Sequence, residues 1–137
     1  MLAGVAVASD LSPISHSDGD VVLHALVDAI LGALGQGDIG ELFPDTDPKW
    51  KGAESRIFLE EAVRRAKAAG YQIANADITI LAERPRLKPF KPQMTSTLAA
   101  LLDAPVNIKA GTNEKVDAIG QGQAIAAHAV VLLSKTP

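Results

Sequence analysis

His16-Ser17-Asp18-Gly19-Asp20-Val21-Val22-Leu23-His24 joins a polar loop directly to an apolar-striped segment, and the fold is best read outward from that junction. Asp20 is suited to cap a helix, because its carboxylate accepts first-turn backbone N–H groups and complements the positive helix end. Val22, Leu23, Leu26, Ala29, Ile30, Ala33 and Leu34 follow helical spacing, and Gly35 is a natural stop. A helix is therefore predicted from about Asp20 to Leu34. His24 and Asp28, four apart, share one of its faces. Backbone donors, carboxylates and two imidazoles gathered at a helix start suit anions and metals. The same residues also serve as an ordinary turn with a cap and a packed histidine. No zinc-finger spacing and no His-Glu-x-x-His helix occurs.

The chain has 137 residues, enough for one domain with a real core. It is 47% hydrophobic but only 4% aromatic, so the core is aliphatic and alanine-rich. A net charge of −3 offers no electrostatic case for nucleic acid. With no cysteine, disulfides and thiolate metal sites are excluded, and any metal must use His, Asp or Glu. No apolar run reaches membrane-spanning length, and the apolar start lacks the basic flank of a signal peptide. A soluble, cytoplasmic protein is the expectation.

Met1–Ala8 reads as a strand, followed by a turn at Pro13. Gly35 to Pro48 is rich in Gly, Pro and Asp and reads as a loop, anchored by Ile39, Leu42 and Phe43. Such a loop is either a lid or binding loop, or a solvated connection. A second helix is predicted from about Ser55 to Ala69. Phe58, Leu59, Ala62, Val63 and Ala66 face its core side, and Glu60, Glu61, Arg64, Arg65 and Lys67 face solvent. Tyr71–Ala74 and Ala76–Ala82 read as extended, the second as a central strand. Glu83 to Pro92 combines Arg84, Arg86, Lys88 and Lys91 with three prolines. That composition suits either a stiff phosphate-binding loop or a solvated linker. A third helix spans about Pro92 to Leu102. Val106–Ala110 is a short strand ending in a polar turn, where Glu114 is the carboxylate able to hold a hard cation beside phosphate. From Gly120 onward the chain is ambiguous between helix and strand. The Gly-x-Gly there is weak evidence for phosphate binding, and His128 reads as structural. The order implies an α/β or α+β sandwich: a small mixed sheet with helices packed on one face.

Together these pieces resemble the 2-C-methyl-D-erythritol 2,4-cyclodiphosphate synthase family. The resemblance is carried by His16-Ser-Asp-Gly-Asp through His24-Ala-Leu, and by Gly37-Asp-Ile-Gly-Glu-Leu-Phe-Pro-Asp-Thr-Asp47. Lys51-Gly-Ala-Glu-Ser-Arg56, Asp77-Ile-Thr-Ile80, Pro92-Gln-Met94 and Lys109-Ala-Gly-Thr-Asn-Glu-Lys115 complete it in order. It implies one domain over 1–137, a homotrimer with active sites between subunits, and a phosphorus–oxygen lyase of non-mevalonate isoprenoid biosynthesis. In that reaction the 2-phosphate of a cytidine diphosphate-methylerythritol attacks its own β-phosphorus and CMP leaves. Two anions must be aligned and their charge neutralised.

The resemblance also implies roles. His24 would be a zinc ligand, and Glu114 would hold magnesium or manganese. His16 and Thr112 would stabilise the transition state, with Ser17 on the substrate. Asp38, Ile39, Gly40, Phe43, Pro44, Asp45, Thr46 and Asp47 would line the methylerythritol pocket. Ala82, Glu83, Arg84, Pro85, Arg86, Leu87 and Lys88 would form the cytidine and phosphate loop, mostly through backbone. Gly111, Asn113 and Glu114 would join Thr112 on the substrate. Three departures stand out. The family's Asp-x-His zinc motif lies ahead of the segment matching Leu2–Val5, which implies a shortened version with weak zinc binding. Ala118 and Gln121 stand where relatives carry an aromatic and an arginine, which removes a phosphate contact of roughly 1.5–3 kcal/mol. Gly111 stands where a threonine is common. The resemblance makes the last segment a strand. The alternatives are a catalytically impaired trimeric nucleotide-binding homologue and a metal-dependent phosphohydrolase.

Overall fold

The computed structural model describes residues 1–7 and 19–137. His16, Ser17, Asp18 and the turn at Pro13 lie outside the described residues. Helix α1 (Val21–Leu34) begins at Asp20 and ends at Gly35, which adopts φ 67°. Its buried face is Val22, Leu23, Leu26, Val27, Ile30 and Leu31. That face is broader than the expected stripe, because α1 packs on both the sheet and helix α3 (Ser55–Ala68). Ala33, expected inside, is exposed.

Asp20 does more than cap. Its Oδ1 accepts from Val22 N and Leu23 N at 3.1 Å and from Ala3 N at 2.9 Å, while Oδ2 accepts from Gly4 N at 2.8 Å. The carboxylate is fully buried. Residues 1–7 are consequently not the expected strand. Leu2 and Val5 exchange backbone hydrogen bonds at 2.9 Å across a tight turn, with Ala3 at φ 53° and Gly4 at φ 74°. The turn aims two N–H groups at Asp20, a geometry that an extended strand does not offer.

The segment after Gly35 contains more structure than a loop. Asp38 caps a short helix, α2 (Ile39–Leu42), by accepting from Glu41 N, and Asp47 caps a 3₁₀ turn at Pro48–Trp50. Helix α3 buries Phe58, Leu59, Ala62, Val63 and Ala66, as its periodicity requires. On its outer face Glu61 accepts from Arg64 and Arg65. The Arg64 hydrogen bond holds the Glu61 carboxyl below its ordinary range.

Strand β1 (Tyr71–Leu81) is one strand where two extended pieces were expected. A register shift between Ile73 and Asn75 breaks the alternation, so Ile73 and Ala76, three apart, are both buried together with Ile78 and Ile80. After a 3₁₀ turn at Lys88–Phe90, helix α4 (Lys91–Leu102) buries Met94, Leu98 and Leu102. It leads to β2 (Val106–Gly111), parallel to β1. A short helix, α5 (Asp117–Gly120), precedes β3 (Ala126–Lys135), which runs antiparallel to β1. The sheet order is β2-β1-β3, a mixed sheet with β1 central. The ambiguous last segment is thus a strand; its alternating, half-buried face suits Val130-Val131 better than its alanines suit a helix.

Helices α1, α3 and α4 pack on β3, β1 and β2 respectively. Leu23, Leu26, Ile30, Leu31, Leu59, Ile78, Ile80, Met94 and Leu98 form the fully buried centre, each contributing roughly 1.5–3 kcal/mol. The other face of the sheet carries polar and apolar groups together. Asp77 accepts from Lys109 Nζ at 2.8 Å and from Asn107 Nδ2 at 3.0 Å. Val130 and Leu132 beside them are 71% and 61% exposed. Among the described residues no helix is long and apolar enough to cross a membrane.

Candidate functional site

Two groups of candidate residues emerge. The first surrounds the second turn of α1. His24 Nε2 lies 2.8 Å from Ser55 Oγ at the start of α3, and Ser55 is fully buried. Phe58, one turn further along α3, stands 6.1 Å from the imidazole, centroid to centroid. The 38–50 segment closes over this corner. Phe43 packs on Phe58 at 4.5 Å and on Trp50 at 5.1 Å. Asp28, one turn after His24, accepts from Ile39 N at 2.8 Å and so ties α2 to α1.

This placement divides the expected 38–47 pocket residues. Asp38 Oδ1 and Asp47 Oδ1 are committed to backbone caps, and Phe43 anchors the segment to α3. Ile39 and Pro44 are half-buried, whereas Gly40, Asp45 and Thr46 are exposed. Ser55 was missed from the sequence, although its block had been noted. A serine opening a helix looks like a capping residue, and only the fold brings it to an imidazole thirty-one positions away.

The second group is a cleft of about 480 Å³ at the end of β1 and β2. Ala82, Glu83, Pro85, Arg86, Leu87 and Lys88 line it together with Lys91, Ala110, Gly111 and Thr112. Ala82 N donates to Gly111 O at 3.0 Å, extending the β1–β2 ladder and clasping the two loops together. Parallel strands deliver their C-terminal ends to one edge, where ligand clefts of such sheets form. Among the described residues none of Arg86, Lys88 and Lys91 is paired with a carboxylate, so the cleft lining is net positive, three cations against the Glu83 carboxylate. Lys91 was read only as part of the 83–92 stretch, either a phosphate-binding loop or a solvated linker. Glu83 Oε2 is buried here without a hydrogen-bond partner. Arg84 does not line the cleft. It lies against Gly122, whose φ is 72°.

Beyond the cleft the chain turns sharply. Glu114, Lys115 and Asp117 all have left-handed φ, at 51°, 62° and 60°. For non-glycine residues each costs about 1–2 kcal/mol. Glu114 N donates to Thr112 Oγ1 at 3.4 Å, which leaves the Thr112 hydroxyl hydrogen available to a ligand. The Asp117 carboxyl is held below its ordinary range by hydrogen bonds from Asn113 and from the Ile119 backbone.

His24 and Glu114 are the two expected metal positions. At His24, the 2.8 Å contact between Nε2 and the buried Ser55 hydroxyl fixes the orientation of the ring, as hydrogen-bonded partners do for metal-ligating histidines. At Glu114, an exposed carboxylate beside a cationic cleft is what a magnesium or manganese ion needs, since such ions take few protein ligands and complete their shell with phosphate and water. Among the described residues no three His, Asp or Glu side chains gather into a closed metal cage.

Comparison with known proteins gives the family. The YgbB family model matches residues 1–134. A chloroplastic 2-C-methyl-D-erythritol 2,4-cyclodiphosphate synthase of Arabidopsis thaliana is 52% identical over 98% of this chain. The chain spans 60% of that plant relative's length. A 2-C-methyl-D-erythritol 2,4-cyclodiphosphate synthase of Proteus mirabilis is 51% identical, with 98% of this chain and 86% of that protein covered. A solved structure of such a synthase in a CDP-bound form superposes with a TM-score of 0.90 at 39% identity, covering 98% of this chain and 89% of the other. The chain therefore belongs to the YgbB family, alongside the 2-C-methyl-D-erythritol 2,4-cyclodiphosphate synthases of plants and bacteria.

Proposed function

We propose that this chain catalyses the cyclisation of 4-diphosphocytidyl-2-C-methyl-D-erythritol 2-phosphate to 2-C-methyl-D-erythritol 2,4-cyclodiphosphate with release of CMP. The observation that carries the reading is the cationic cleft that joins the 82–88 loop to Gly111 and Thr112. A relative of the same fold was solved with CDP, the nucleotide part of that substrate.

The backbone of Ala82 to Leu87 would hold the cytidine, and Arg86, Lys88 and Lys91 would draw the diphosphate into the cleft. The 2-phosphate oxygen attacks the β-phosphorus in line as the bond to the CMP oxygen breaks, and the departing phosphate takes up the charge. Thr112 donates its hydroxyl hydrogen to that charge, and His16 and Ser17 would also act on the substrate. Asp38 with Ile39, and the segment from Phe43 to Asp47, would enclose the methylerythritol. His24 would hold zinc, oriented by Ser55, and Glu114 would hold magnesium or manganese. The metals supply electrostatic neutralisation of the crowded phosphates.

The sheet face bearing Val130 and Leu132 would pack against two further copies of the chain, forming a trimer. Exposure of two large aliphatics beside the Asp77–Lys109 pair supports this, because isolated proteins rarely leave such a surface bare. CMP release from the authentic substrate is the test, with light scattering to give the assembly. Stoichiometric CMP and cyclic product are expected. CDP binding without turnover would leave only a nucleotide-binding homologue.

A further inference from the structure

The turn carrying Glu114 is fastened from several directions. Asn113 Nδ2 donates to Val116 O at 3.1 Å and to Asp117 Oδ2 at 2.9 Å. Val116 N returns a bond to Asn113 O at 2.9 Å. Asp117 Oδ1 accepts from Ile119 N at 2.8 Å within α5, which steadies the carboxylate that Asn113 meets. Gln121 Nε2 donates to Lys115 O at 2.9 Å. Gly120 lies so close that a Cβ there would stand 2.6 Å from Lys115 Cα. Each of these contacts acts on the backbone around Glu114. Among the described residues no hydrogen bond or ion pair reaches the Glu114 carboxylate itself.

A left-handed glutamate followed by a left-handed lysine does not persist unaided. Asn113 sits at the centre of the fastening, because its one amide bridges the Val116 carbonyl and the carboxylate of Asp117, the first residue of α5. We propose that Asn113 is a positioning residue, which, paired with Asp117, aims the Glu114 carboxylate at the divalent cation. The proposal rests on the assignment of Glu114 as that cation's ligand. Without the asparagine amide, residues 114 and 115 relax toward negative φ, and the carboxylate swings away while the cleft residues stay where they are. Gln121 is a second fastener in this chain, holding Lys115 O.

Mn²⁺ binding to the full chain in the presence of CDP, followed by loss of the free-ion electron paramagnetic resonance signal, tests this. Asn113→Ala is expected to raise the ratio of its Mn²⁺ dissociation constant to the parent's to about ten, the scale of lost ligand support. A merely structural role would move thermal stability and not this ratio. Glu114→Gln separates the two ideas. If it weakens Mn²⁺ while Asn113→Ala does not, the positioning role is overturned and the ligand assignment stands. If Glu114→Gln binds Mn²⁺ as the parent does, or the parent binds none, the ligand assignment falls and the positioning role with it.

Discussion

Asp20 and Glu114 are two carboxylates treated in opposite ways. Asp20 is fully buried, and its oxygens accept four backbone N–H groups from two segments sixteen or more residues apart. Glu114 is exposed on a strained backbone, and what surrounds it fixes its position without touching its oxygens. A carboxylate whose lone pairs are consumed by the fold has become part of the fold. One that others hold in place, with its own lone pairs unspent, is equipped to take a ligand. The difference lies less in residue type than in where the hydrogen bonds go.

That contrast can be broken most forcefully at Asp20. Asp20→Ala strands the N–H groups of Ala3, Gly4, Val22 and Leu23 and should cost roughly 3–5 kcal/mol. Urea unfolding measures it, and a loss under about 1 kcal/mol would mean the buried carboxylate is not the staple described. Glu114→Gln should do the reverse: CMP formation drops about a hundredfold, whereas the melting temperature stays within about 2 °C. A large fall in melting temperature would place Glu114 with Asp20 after all. The smallest effect concerns Asp117. Its lowered carboxyl pKa contributes stability above the ordinary aspartate range, and that contribution disappears as pH falls through the lowered value. Removing the Asn113 amide should raise the Asp117 pKa toward the ordinary value and flatten this acid-side dependence, with the Ile119 bond retaining part of the shift. Side-chain NMR titration of Asn113→Ala reads it directly; an unmoved midpoint would show that the amide does not hold this carboxylate.

The elements written in periodicity were legible in advance: α1 with its Asp20 cap and Gly35 stop, the buried side of α3, β1 at the centre of a mixed sheet, and α4. Features set by partners far along the chain were not. Residues 1–7 contain strand-forming valines, yet Asp20 draws Ala3 and Gly4 into a turn. The shift after Ile73 depends on β3, so no pattern within 71–82 announces it. The 82–88 loop and Gly111–Thr112 were named separately as ligand residues, and the cleft unites them because β1 and β2 are parallel neighbours. Ser55 beside His24, and the fastening of Glu114 by Asn113 and Gln121, needed three dimensions. Asn113 had been noted only as a substrate contact, and Gln121 only as a missing arginine.

Gly120 shows where unrecognised sensitivity resides in this molecule. It does not line the cleft at the end of β1 and β2, yet any side chain there collides with the backbone of Lys115 and therefore dislodges the carboxylate one residue earlier. A survey that ranks positions by proximity to bound nucleotide would pass over it. Its replacement by alanine, ordinarily among the mildest of changes, should nonetheless behave like an injury to the reactive centre.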